Sequence, residues 1–132
     1  MYKEKLEKLM NNSYSPYSKF KVAAIVVMKD GKEFGGVNVE NASYGLTVCA
    51  ERTAIFNAVS NGYGKGDFDS LYGMSFTQEG MPCGSCRQVM SEFGIEKIYV
   101  CKEDEFVLYT MEELLPNSFS GADLKWSQDL QV

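Results

Sequence analysis

Histidine is missing altogether from the 132 residues of this chain. A transition metal bound here must therefore be held by thiolates, with or without carboxylates, because no imidazole exists to share the work. Positive charge is scarce too. Lys and Arg number 13 against 18 Asp and Glu, a formal net charge of -5, with no basic cluster anywhere. A protein that grips a phosphate backbone normally shows a basic face, so nucleic acid is disfavoured as a substrate and a small uncharged molecule fits better. No apolar run approaches the length of a membrane span, and Met1-Tyr2-Lys3-Glu4 starts no signal peptide, so a cytoplasmic location without membrane contact is expected. No repeat, linker or low-complexity stretch interrupts the chain, which reads as a single domain over residues 1–132.

What the chain does have is four cysteines, and their spacing carries the argument. A cytosolic protein has little use for disulfides, so paired cysteines are better read as metal ligands. Cys83-Gly84-Ser85-Cys86 supplies two thiolates at a spacing that lets both face one ion, and Cys49 can supply a third. Three protein ligands are one short of the four that a structural tetrahedral zinc takes, which leaves room for a water. Glu51 is too close to Cys49 to ligate easily but is well placed to exchange a proton with that water, the layout of metal-assisted hydrolysis. Cys101 closes the strand-like run Ile98-Tyr99-Val100 and reads as a buried, inert thiol. Were it instead a fourth ligand, the site would be closed and purely structural.

Taken in order, Leu6, Leu9 and Met10 predict a helix over 3–11, followed by a turn-rich loop, Ser13-Tyr14-Ser15-Pro16-Tyr17-Ser18, that Ser and Pro explain without any functional role. Strands are expected at 20–28 and 33–39 around an Asp-Gly hairpin turn, then a helix at 49–60 and a strand at 71–77. A second helix at 83–93, strands at 95–101 and 105–109, and a short helix capped by Thr110 and Glu113 complete the pattern. The tail from Asn117, with Phe119 and Trp126, is too aperiodic to assign. This order implies an α/β fold, a mixed five-stranded sheet with helices on its faces. Both cysteine segments would then sit at helix N-termini, where free N–H groups and partial positive charge offset the thiolates. Arg52 can donate charge-assisted hydrogen bonds to the same sulfurs.

With Cys49-Ala50-Glu51-Arg52 and Pro82-Cys83-Gly84-Ser85-Cys86-Arg87-Gln88 both in view, the sequence resembles the small, homotetrameric, three-cysteine cytidine deaminases. The likeness extends to Tyr14 through Phe20, Asn38 through Gly45 and Glu113-Leu114-Leu115-Pro116. It implies a three-layer α/β/α fold and hydrolytic deamination of cytidine and 2′-deoxycytidine to uridine and 2′-deoxyuridine, with release of ammonia, in pyrimidine salvage. Cys49, Cys83 and Cys86 would hold a zinc ion in each subunit, with Glu51 shuttling protons as the activated water attacks C4. Asn38 and Glu40 would hold sugar hydroxyls, Phe20 would pack on the base, and the Ala50 backbone would read its carbonyl. Ala42, Tyr44 and Phe119 would reach the pocket of a neighbouring subunit, placing active sites at subunit interfaces. Two positions depart from the family pattern. Ala23 stands where Gly is usual, and its methyl is expected to shift the strand near the ribose; Met81 replaces the Ser usual before Pro-Cys. Rival readings are a deaminase of the same fold acting on an aminopyrimidine antibiotic, which Asn38-Val39-Glu40-Asn41 argues against, a structural-zinc module using Cys101, and a nucleic-acid editor, which the acidic charge weakens.

Overall fold

The run Val22–Met28 is apolar at every position, which suits a strand covered on both faces. In the computed structural model, which describes residues 1–124, it lies inside a five-stranded sheet. The elements follow one another as α1 (Tyr2–Met10), β1 (Val22–Met28), β2 (Glu33–Val37), α2 (Ala50–Ser60) and β3 (Phe68–Ser75). Then come α3 (Gly84–Glu92), β4 (Lys97–Lys102), β5 (Glu105–Thr110) and α4 (Met111–Leu114). Across the sheet the order is β2-β1-β3-β4-β5, with β3 and β4 parallel and the other neighbours antiparallel. The sheet is mixed, as expected.

Alternation along each strand divides the core in two. Ala24, Val26, Leu71, Ile98 and Val100 meet Ala54, Ile55 and Ala58 of α2 and Cys86 and Met90 of α3. Ala23, Ile25, Met74 and Cys101 belong to the opposite face, packed with Leu6 and Met10 of α1. Helices thus cover both faces, giving the three layers. Beside α1 the second face is extended by a stack of Tyr2, Tyr72 and Tyr99, with ring centroids 4.1 and 4.5 Å apart.

Some boundaries differ from the sequence reading. β3 begins at Phe68, ahead of the expected Leu71, because the polar Asp69 and Ser70 mask a strand that pairs with β1 along its length. β2 ends at Val37 and not Val39: Asn38 leaves the ladder, and Val39 makes only single bridges, to Tyr14 and to Val48. Thr110 and Glu113 form the anticipated reciprocal cap of α4. Phe119 lies in the described tail, whereas Trp126 falls outside the described residues.

Two glycines in β2 set how closely helices approach the sheet, Gly36 for α2 and Gly35 for α1. A Cβ on Gly36 would lie 2.3 Å from the Ala54 backbone nitrogen and 2.7 Å from the Ala50 carbonyl oxygen. On the other face, a Cβ on Gly35 would meet Leu9 Cδ2 at 2.7 Å. Backbone cannot yield as a leucine tip can. Gly36→Ala is therefore expected to cost about 3 kcal/mol, the upper end of ordinary overpacking, and Gly35→Ala clearly less. Urea denaturation midpoints of the two variants measure the difference.

Candidate active site

Cys49 is the N-cap of α2 and Cys83 the N-cap of α3, so the two cysteine segments do open helices. Those helices start beside each other: Cys49 Sγ and Cys83 Sγ are 3.6 Å apart, and Cys86 Sγ, on the first turn of α3, is 3.4 Å from Cys83 Sγ. All three sulfurs lie within 4.8 Å of one another. A tetrahedral zinc with Zn–S bonds of about 2.3 Å separates its sulfurs by roughly 3.8 Å, so this donor set fits that ion.

Positive and dipolar groups surround the sulfurs. The Cys86 N–H donates to Cys83 Sγ at 3.5 Å, and Arg52 Nη2 donates to Cys49 Sγ at 3.5 Å. Among the described residues Arg52 Nε is buried without a hydrogen-bond partner, so its link to the cluster runs through Nη2. A hydrogen bond from Cys86 draws the Cys49 thiol down to about 5, and Arg52 adds to the pull. The same bond, with burial, pushes Cys86 up. Glu51 lies on the first turn of α2, only 7% exposed, and its Oε1 accepts from Cys86 Sγ at 3.9 Å. Burial pushes its carboxyl up to about 7, and the charge on Cys49 works in the same direction. A carboxyl poised near neutral pH can both take and give a proton.

Above this cluster is a cavity of about 250 Å³ lined by Phe20, Asn38, Glu40, Cys49, Glu51 and Cys83, among others. Six of the residues singled out in the sequence are thus brought to one space. Cys86 and Arg52 support it from behind. Ala50 is fully buried between Cys49 and Glu51 and is not part of the cavity wall. Tyr44 stands in an adjoining surface groove with Tyr17 and Asn41, while Ala42 and Phe119 are exposed away from the cavity.

The family follows from a comparison with known proteins. The model for the cytidine and deoxycytidylate deaminase zinc-binding region matches residues 1–102. The chain belongs to this deaminase family. Among its relatives, a cytidine deaminase of Halalkalibacterium halodurans is 44% identical, covering 85% of this chain and 86% of the relative. Another from Mycoplasma pneumoniae is 42% identical, over 87% and 89%. A solved cytidine deaminase from Burkholderia pseudomallei superimposes with a TM-score of 0.82 at 43% identity, covering 88% of this chain and 94% of that one.

Set within the deaminase family, several residues find physical explanations. Cys101 is 1% exposed on the α1 face of the sheet, opposite the core face that holds Cys86. It is absent from the sulfur cluster, which removes the four-thiolate alternative. The Ala23 methyl faces α1 as well, so the expected disturbance of the strand near the ribose is replaced by packing on the far side. Met81 lines the cavity next to Pro82. Arg87 donates to the Pro82 carbonyl at 2.8 Å and to the Leu114 carbonyl at 3.0 Å, tying the second cysteine loop to the Glu113-Leu114-Leu115-Pro116 segment.

The sequence reading missed the loop before β1. Tyr14 N–H donates to the Asn38 carbonyl at 3.0 Å, Glu40 N–H donates to the Tyr14 carbonyl at 2.8 Å, and Ser18 lines the cavity. Ser and Pro signal a turn whatever the turn encloses, so composition alone hid this role. Removing one sulfur separates the cysteines by function. Cys83→Ser is expected to lose zinc on gel filtration in chelator, whereas Cys101→Ser keeps its full complement, read by atomic absorption.

Proposed function

We propose that this chain catalyses the zinc-dependent hydrolytic deamination of cytidine and 2′-deoxycytidine to the corresponding uridines, with release of ammonia. The observation that carries this reading is the buried Glu51 carboxyl lying against a three-sulfur cluster on the wall of a cavity. Cys49, Cys83 and Cys86 hold the zinc, which when bound supplies a water acidified to near-neutral pH. Glu51 takes a proton from the attacking water and delivers it to ring N3 as the C4–O bond forms. Glu51 next takes the remaining proton from the new C4 hydroxyl and passes it to the amino group; the C4–N bond breaks as the C4=O bond forms, and ammonia leaves.

Phe20 packs on the base, while Asn38 and Glu40 hold the sugar. Two polar groups that would be left unpaired by a ligand without hydroxyls give real discrimination. Three thiolates leave a zinc site with one net negative charge, which opposes acidification of its water; Arg52 and the helix N-termini offset it.

The chain acts as one domain over 1–132, in the cytoplasm, as a homotetramer with active sites at subunit interfaces. Support for assembly comes from large exposed apolar side chains: Tyr44 is 78% exposed, Leu46 66% and Phe119 57%. Exposed apolar groups of this size are what a subunit contact would cover. Ala42, Tyr44 and Phe119 complete a neighbour's pocket, and Tyr44 shares a surface groove with Glu40 of its own chain. No helix among the described residues is long and apolar enough to cross a membrane.

Conversion of cytidine to uridine, followed by the absorbance change, tests the activity. Glu51→Gln is expected to lower turnover by on the order of a hundred- to ten-thousand-fold with zinc fully retained. Wild-type turnover in that variant would remove Glu51 from the reaction. Arg52→Gln is expected to weaken zinc retention by about tenfold in chelator competition, as loss of a ligand-orienting neighbour generally does.

A further inference from the structure

We propose that Ser18 is a positioning residue for sugar recognition: its hydroxyl aims the remaining free lone pair of Glu40 and couples that carboxylate to Phe20. The inference rests on the reading of Glu40 as the sugar-binding acid. Its support is the hydrogen-bond arithmetic around that side chain.

Glu40 sits just beyond β2, half-buried at the mouth of the cavity. Its Oε1 accepts from the backbone N–H of Tyr17 at 3.0 Å and of Ser18 at 3.2 Å. Its Oε2 accepts from the Ser18 hydroxyl. A carboxylate offers about four lone-pair directions. Three are occupied from within the chain, so one acceptor direction remains, on Oε2. That oxygen is the one Ser18 holds, so the Ser18 hydroxyl decides where the free lone pair points.

The hydroxyl proton has no other assignment. Ser18 Oγ accepts from the Phe20 N–H at 3.0 Å, which leaves its own O–H for the carboxylate. One hydroxyl therefore spans the residue that packs on the base and the residue that takes the sugar. Lys19, between them, has φ of 62°, a left-handed conformation that a non-glycine residue keeps only when its surroundings impose it. The Lys19 N–H is tied to the Ser15 carbonyl at 3.0 Å. Asn38 is committed in the same way: its Oδ1 accepts from the Ser13 hydroxyl and the Val22 N–H, and its Nδ2 donates to the Phe20 carbonyl. The whole 13–20 loop is wound on the two sugar-facing side chains.

A Ser18 that only shapes its turn would alter stability and leave sugar affinity alone. Steady-state kinetics on the zinc-loaded enzyme separate the two roles. In Ser18→Ala, KM for cytidine should rise about tenfold with kcat within about twofold, the range that loss of one hydrogen bond to a charged group produces. The competitive Ki of uridine should rise equally, while that of 2′,3′-dideoxyuridine, which lacks both hydroxyls, should not move. Ser18→Thr, which keeps the hydroxyl, should recover KM. If Glu40→Gln raises KM for cytidine while Ser18→Ala does not, the inference is overturned and the sugar-binding reading stands. Equal losses for uridine and its dideoxy analogue would also overturn it, by showing a general structural role. Should Glu40→Gln leave KM unchanged, the sugar-binding reading fails and the inference falls with it.

Discussion

Three sulfurs within 4.8 Å of one another concentrate negative charge beside a buried carboxyl, with Cys86 itself fully buried. Such a cluster is unfavourable unless positive groups face it, because desolvated like charges repel strongly. Most of the surrounding architecture can be read as the answer to that constraint. Two helices begin at the cluster, and α3 presents the Cys86 N–H to Cys83; Arg52 leans on Cys49 through Nη2; a divalent cation completes the balance. Bringing two helix starts together requires α2 to lie nearly on the backbone of β2, which only Gly36 permits. A packing detail in the sheet and an electrostatic requirement at the site are thus the same fact seen from two ends.

Much of this was legible in the sequence because the governing residues are local in it. Cys-x-x-Cys spacing, Cys49 with Glu51, and the absence of histidine together define a donor set without reference to the fold. The alternating strands and the capped helices follow from periodicity, and the structure moves their ends by only a few residues. Where the reading fell short, a long-range partner was responsible. Ser70 looks like a break in an apolar run until β1 pairs with it. The Ala23 methyl looks like a threat to the pocket until the strand's alternation sends it under α1. Cys101 is ambiguous as a letter and unambiguous once it lies on the opposite face of the sheet.

The 13–20 loop is the instructive case. Its Ser and Pro content signals a turn, and it is a turn, yet its backbone and hydroxyls are the partners of Asn38 and Glu40. No spacing rule links Ser18 to Glu40, because the contact depends on a chain crossing that only the assembled sheet creates. Binding groups whose geometry is imposed by a loop are therefore the part of a site least visible in composition.

A division of labour follows from where the two halves of the site are anchored. Glu51 and the cysteines stand at helix starts packed on the core, with Cys86 and Ala50 fully buried, so their mutual distances are fixed by the fold. Asn38 and Glu40 stand where β2 has already left the ladder, held by hydrogen bonds from a loop and by single bridges at Val39. Core packing resists displacement more stiffly than a set of loop hydrogen bonds does. Under the proposed reading, chemistry that tolerates little misplacement is anchored in the helix starts, and recognition of a sugar in side chains held by a loop. In the proposed assembly, a neighbour seated on Tyr44, which shares a groove with Ser18 and Glu40, would stiffen that second half and link substrate affinity to the association of subunits.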